Sequence, residues 1–282
     1  MAKENDFLTS AVESVRSAGK LLLQSCRTVA MPKAPDGRSL VVLGNGPSLR
    51  GLIDSGQLSA PGIDLLAVNF MANTEEFFSL RPAYYVIADP HFFQGASDAN
   101  VGRLLHNLAT RVSWPMTLFV PATEASRVAI ANNNISVCPY NCVGIEGFGW
   151  LCRAAYRSHR GMPRPRNVLI PSLMLALWMG YKMIFVAGAD HSWTRTLEVN
   201  EHNEVVSVQP HFYADNDHEK SRITSVYKGV RLHEIIHSFY VAFKAYFEIE
   251  AYAQSIGAHI INITPGSFID AFRRADPNII VG

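Results

Sequence analysis

A strong net charge is what this 282-residue chain most plainly lacks: 25 Lys and Arg stand against 24 Asp and Glu. Without a basic field there is no warrant for binding duplex nucleic acid, and no nucleic-acid partner is expected. Cysteine is scarce as well. Cys26, Cys138, Cys142 and Cys152 form no C-x-x-C pair and have no histidine at zinc-finger spacing, which argues against structural zinc and fits reduced thiols. Long apolar runs are missing too. None approaches the ~20 residues that span a bilayer, and LLLQSC at 21–26 is too short and too late for a signal-peptide core. The expected location is the cytoplasm. What the chain does have is 48% hydrophobic content, ample for one large domain.

The stretch SLVVLGNGPSL, Ser39 to Leu49, organises the rest. Its apolar run reads as a buried parallel strand, and Gly44 and Gly46 let the backbone turn sharply and approach a ligand closely. Pro47 suits the first turn of a helix and Ser48 can hydrogen-bond locally, so the helix that follows is expected to offer free N–H groups to an anion. The spacing is not G-x-G-x-x-G, because the next glycine comes only at Gly51; an ordinary NAD site is disfavoured. Asn45 adds an amide that can donate and accept toward a phosphate or ribose. A tight turn without a ligand is the plainer alternative.

Six apolar runs then alternate with helical or loop stretches: LVVLG, DLLAVNF at 64–70, AYYVIAD at 83–89, MTLFVPA at 116–122, MIFVAGAD at 183–190 and HIINIT at 259–264. This predicts an α/β fold: a single Rossmann-like domain with a mostly parallel sheet flanked by helices over 39–282, a polar lid at about 193–229, and an N-terminal helical extension with its linker over 1–38. Ligands bind beyond the carboxyl ends of such strands. That rule singles out Asn45, Asn69, Asp89, Asp190, His191, Thr264 and Ser267. In the extension, Asp6 to Val29 carries Phe7, Val12, Val15, Ala18, Leu21 and Leu22 at helical spacing among Glu13, Arg16 and Lys20. Its apolar face is expected to pack on the chain's own body, on a second subunit as a homo-oligomer, or peripherally on the inner membrane.

Arg153, Arg157, His159, Arg160, Arg164 and Arg166 form a cationic cluster, either a solvated face or a receiver for an anion. The run NVLIPSLMLALWM at 167–179 is apolar all round and predicts a buried helix, with Asn167 at its start able to present its amide and free backbone N–H groups to a phosphate. Asp215-Asn216-Asp217 matches the letters of a metal-holding D-x-D but does not end an apolar strand, so no metal is expected. A long helix over Val230 to Ser255 sets His233 and His237 four apart. With Glu234 they satisfy H-E-x-x-H, which would need a third ligand and a peptide cleft to be a zincin; the strand-end architecture points elsewhere.

GNGPSL at 44–49, Asn69 after the second strand and GYKMIFVAGAD at 180–190 resemble the bacterial sialyltransferases of glycosyltransferase family 42. They are also similar to the wider set that includes flagellar motility accessory factors and archaeal 6-hydroxymethylpterin pyrophosphokinases. The resemblance covers about residues 39–275. It implies that Asn45 and Asn69 contact a cytidine monophosphate donor. Asp89-Pro90 stands where that family has Asn-Pro, and the family's Arg-Thr-Ser phosphate helix is only approximated by Arg166 and Asn167. Trp193, Tyr213 and Tyr227 are the nearest to the two tyrosines that assist phosphate departure. The Tyr-x-Gly-His pattern of the general base is nearest to Tyr227, Gly229 and His233, with His237 and His211 as rivals.

The resemblance implies a transferase moving a nonulosonic acid from a CMP-activated donor to a glycan or lipid-linked glycan acceptor, by inverting, metal-independent chemistry with a histidine base. No cofactor is expected, the CMP-sugar being a substrate. The rival expectations are an ATP-dependent pterin pyrophosphokinase-like enzyme and a non-catalytic nucleotide-binding accessory protein of surface glycan assembly.

Overall fold

The computed structural model describes residues 2–26, 30–93, 98–206, 211–212 and 229–281, with side chains from residue 7 onward. Its strands are β1 (Ser39–Leu43), β2 (Ile63–Val68), β3 (Tyr84–Val86), β4 (Met116–Pro121), β5 (Ile135–Tyr140), β6 (Met183–Ala187), β7 (Glu198–Val199), β8 (Val205–Val206), β9 (His259–Asn262) and β10 (Arg273–Arg274). Eight form one sheet in the order β10-β9-β6-β1-β2-β3-β4-β5, and every pairing in it is parallel. β7 and β8 make a separate antiparallel hairpin. Each of the six predicted strands is present. β5 was not expected: Pro139 lies inside it and its residues are mostly part-exposed, as an edge strand allows.

Leu40, Val41, Val42 and Leu43 of β1 are fully buried because helices cover both faces of the sheet, which is why the strand reads as an unbroken apolar run. Leu40 and Val42 join a core with helices α5 (Gly149–Arg157), α6 (Leu169–Met179) and α7 (Leu232–Ser255). Val41 and Leu43 join the opposite one, built by α2 (Leu49–Asp54), α3 (Glu75–Leu80) and α4 (Ala99–Arg111). All residues of α6 are buried, matching its lack of a polar face. Among the described residues no helix is long and apolar enough to cross a membrane.

Chain order reverses at β1. The chain runs from β1 to β2 on one side and returns as β6 on the other, leaving a crevice at the carboxyl ends of β1 and β6 where α/β sheets hold ligands.

The apolar face of the N-terminal helix α1 (Ala2–Gln24) was expected on the body, on a second subunit or on a membrane; Leu21 packs on the core and Phe7 stacks on Phe148, while Leu8, Val12, Val15, Leu22 and Leu23 stay exposed. Serines carry the polar part of the docking. Ser17 is fully buried; its hydroxyl donates to the Glu146 carbonyl at 2.8 Å and accepts from the Glu146 N–H at 2.9 Å. Ser14 Oγ accepts from the Phe148 N–H at 2.8 Å. Gly147 makes room: with φ at +113°, a Cβ there would lie 2.3 Å from Ser14 Oγ. The segment after α1 is anchored as well, since Asn141 bonds both the N–H and the carbonyl of Cys26.

Candidate nucleotide cleft

The two loops at the switch point touch backbone to backbone. Gly44 N–H donates to the Ala187 carbonyl at 2.7 Å and Gly46 N–H to the Gly188 carbonyl at 2.8 Å. A Cβ on Gly44 would lie 2.5 Å from the Gly188 oxygen, and one on Gly46 would lie 1.9 Å from Asp190 Oδ2. These glycines are therefore required first by loop-on-loop packing. Asp190 Oδ2 accepts from the Ser48 hydroxyl at 2.8 Å, closing the same junction with side chains.

Here the expectation of a helix terminus open to an anion is corrected. α2 has only six residues, and the Leu49 and Arg50 N–H groups bond back to the Gly46 and Pro47 carbonyls. At α6 the Leu169 and Ile170 N–H groups go to Asn167 Oδ1 at 3.0 and 3.4 Å.

What remains open is a set of side-chain amides. A cleft of about 450 Å³ lies over the switch point, lined by Asn45, Pro47, Asn69, Asp89, Asn167 and Asp190 among others. Asn45 Oδ1, Asn69 Oδ1 and Asn167 Nδ2 are buried without a hydrogen-bond partner. Each orphan costs about 1–3 kcal/mol unless a ligand or water satisfies it. Two of the amide orientations are set by their other ends: Asn45 Nδ2 donates to the Val68 carbonyl at 3.2 Å, and Asn167 Oδ1 is held by the α6 amides. The walls thus offer two acceptors from the ends of β1 and β2 and one donor from the start of α6. Arg166 lines the same wall as Asn167; burial and its neighbour Arg164 hold its pKa below the usual arginine range. Of the six cluster residues Arg166 alone lines the cleft. Arg164 pairs with Glu146 at 3.4 Å, and His159 stacks on Trp178.

Beneath the cleft runs a wire of defined polarity. Because Asn167 Oδ1 is a carbonyl accepting backbone N–H groups, the Tyr246 hydroxyl must donate to it, at 3.1 Å. The Tyr246 oxygen then accepts from His191 Nε2, 2.6 Å away. His191 is therefore a neutral Nε2–H tautomer, and burial pushes its pKa down to about 3. Trp193 covers its ring at 4.1 Å. Both His191 and Asn69 hold positive φ, 50° and 51°, a backbone strain that clusters at functional sites.

The histidines sort differently from expectation. His211 lines the cleft, next to Phe212, whose N–H donates to the Asn45 carbonyl at 3.0 Å. His233 and His237 do not come near it. They are exposed, because the face of α7 that carries Ile235, Ala242, Tyr246 and Ile249 is the one that packs inward. Glu234, the middle of the H-E-x-x-H letters, accepts the Arg231 N–H in a helix cap. Among the described residues no three His, Cys, Asp or Glu side chains are grouped to hold a metal. Asp215-Asn216-Asp217, Tyr213 and Tyr227 lie outside the described residues. Thr264 and Ser267 bond the β6 loop to the β9 loop and belong to the frame.

Sequence reasoning missed His91. It lines the cleft, and its Nε2 lies 3.1 Å from Asp98 Oδ2, while Asp98 Oδ1 caps α4 through the Asn100 and Val101 N–H groups. Asp89, at the rim, accepts the His91 N–H at 2.9 Å. The signal was the Asp89-Pro90-His91 turn following β3, read only as far as its proline.

No family model matches the sequence, and no curated protein does. Among solved structures the chain is similar to the MAf glycosyltransferase from Magnetospirillum magneticum AMB-1, with a TM-score of 0.50 and 12% identity over 96% of this chain and 39% of that one. The chain thus spans about two fifths of that protein's length. At this identity the likeness is one of fold, and the fold is an α/β, Rossmann-like one with helices on both faces of a parallel sheet.

Proposed function

We propose that the chain is a glycosyltransferase whose donor is a CMP-activated sugar, a nonulosonic acid, and whose acceptor is a glycan or lipid-linked glycan. One observation carries the reading: Asn45, Asn69 and Asn167, each with a buried amide atom that has no hydrogen-bond partner, line one switch-point cleft. The fold shared with a glycosyltransferase supports it. In this reading the acceptors Asn45 Oδ1 and Asn69 Oδ1 take ribose hydroxyl or cytosine amino protons. Asn167 Nδ2 and the Arg166 guanidinium take the phosphate.

Cleavage of the C–O bond to phosphate leaves an oxocarbenium-like centre and moves the electron pair onto the phosphate, which fixed donors stabilise. The acceptor oxygen bonds to the opposite face of the anomeric carbon and gives its proton to a histidine. For that base the cleft offers His211 and the newly found His91, whose ring Asp98 orients as a third group orients a catalytic imidazole. We assign it to His91. No metal has a part in this scheme.

Titration with cytidine, CMP, CDP, UDP and ATP, with and without magnesium, tests the donor assignment. Asn45→Ala and Asn69→Ala are expected to weaken cytidine and CMP alike, by about 1–3 kcal/mol. Arg166→Ala should weaken CMP and spare cytidine. Tight binding of ATP only with magnesium would favour the pterin pyrophosphokinase-like alternative, and CMP binding without any transfer would favour the accessory protein. Turnover of His91→Ala, His211→Ala and His233→Ala, compared at equal donor occupancy, locates the base. The His91 variant is expected to lose about 10²- to 10⁴-fold; near-normal turnover there with collapse in another moves the base to that residue.

A further inference from the structure

The outward face of α1 carries a seam that nothing among the described residues covers. Leu8, Val12, Val15, Gly19 and Leu22 follow one another at spacings of four, three, four and three, the a/d period of a coiled coil. Leu8 is 62% exposed, Val12 50%, Val15 74%, Leu22 83% and its neighbour Leu23 88%. At Gly19 an added Cβ would meet nothing within 4 Å, so a partner helix can come close there. This surface is not spare docking area for the body, because α1 is already held through its serines.

We propose that this seam pairs two copies of the chain, helix against helix. Three observations select a second copy over a lipid surface. The period is 3.5, which keeps a narrow stripe facing a helix, whereas an interfacial helix presents a broad apolar face bordered by cations. The flanking cations are occupied: Arg16 pairs with Glu13 at 3.2 Å, and Lys20 donates to the Gly144 carbonyl at 3.4 Å. The side chains that α1 leaves exposed along this face, Leu8, Val12, Val15, Leu22 and Leu23, are all aliphatic and uncharged, the kind of surface that a partner helix buries. So short a seam is weak for free helices, but α1 is pre-oriented on a rigid body and loses little freedom on pairing.

Sedimentation of the full chain from micromolar to near-millimolar concentration, under reducing conditions because Cys26 is exposed, tests this. A monomer–dimer equilibrium is expected. Val15→Glu and Leu22→Glu should each weaken it by roughly a hundredfold, since like charges then face each other across the seam. Both positions face solvent in the single chain, so the circular dichroism and CMP affinity of these variants should match the parent. Three results would overturn the proposal: a monomer at every concentration, a dimer indifferent to both substitutions, or a monomer that floats with phosphatidylglycerol–phosphatidylethanolamine vesicles and loses that binding in the same variants.

Discussion

At Gly44 one methyl group decides whether two loops can meet. The Cβ of an alanine would press on the Gly188 carbonyl, a backbone atom that cannot turn aside. Gly44→Ala is expected to lower stability by about 2 kcal/mol or more and to weaken CMP binding. Gly51→Ala is its control, because the added Cβ meets nothing within 4 Å and α2 should gain about 0.5–1 kcal/mol; urea denaturation of the two reads both signs. His191 gives a pH signature. Its pKa in the fold, about 3, is below the ordinary imidazole value near 6.5, so between these values the unfolded chain holds the extra proton. The contribution of neutral His191 is full above pH ~6.5 and declines as pH falls toward 3, by at most about 1.4 kcal/mol per unit. Between pH 7 and 5 the parent should therefore lose more stability than His191→Phe. Equal losses would show that the imidazole is not held neutral.

Elements were legible where their period was matched by their setting. β1, β6 and α6 are apolar throughout because both their sides are covered, and the run alone announced them. α1 was legible as a helix and illegible as to its face, since an amphipathic period is the same whichever side docks. The overlooked signal was Ser10, Ser14 and Ser17, spaced four and three, which line the inward side. Ser17→Ala would strand the Glu146 N–H and carbonyl beneath the helix and should cost about 1–3 kcal/mol. Faster amide exchange across residues 2–24 and 144–148 would report the loosening; exchange unchanged in both would mean that the serine bonds do not hold α1. α7 shows the same limit. His233 and His237 share a face, but only packing reveals that it is the outer one.

For the whole molecule, the strand-end rule carried furthest. Chain reversal at β1 brings Asn45, Asn69, Asp89 and Asp190, far apart in sequence, around one cleft; Asn167 joins them from the start of the apolar helix that the sequence announced, and Arg166 from the loop before it. CMP at a hundred times its dissociation constant should stabilise the fold by about 2.7 kcal/mol. A thermal shift with CMP in the parent but not in Asn45→Ala is the expected pattern. The serine docking of α1 has one more consequence, and it concerns heat capacity. A helix held mainly by hydrogen bonds, with Leu8, Val12, Val15, Leu22 and Leu23 already wet in the single chain and Leu21 and Phe7 as its apolar contacts to the body, exposes little new apolar area when it lifts away. Its release should therefore add little to the heat capacity change of unfolding and respond weakly to urea. Heating would then free α1 at a temperature nearly independent of denaturant, while the sheet beneath it melts along a steeply denaturant-dependent course.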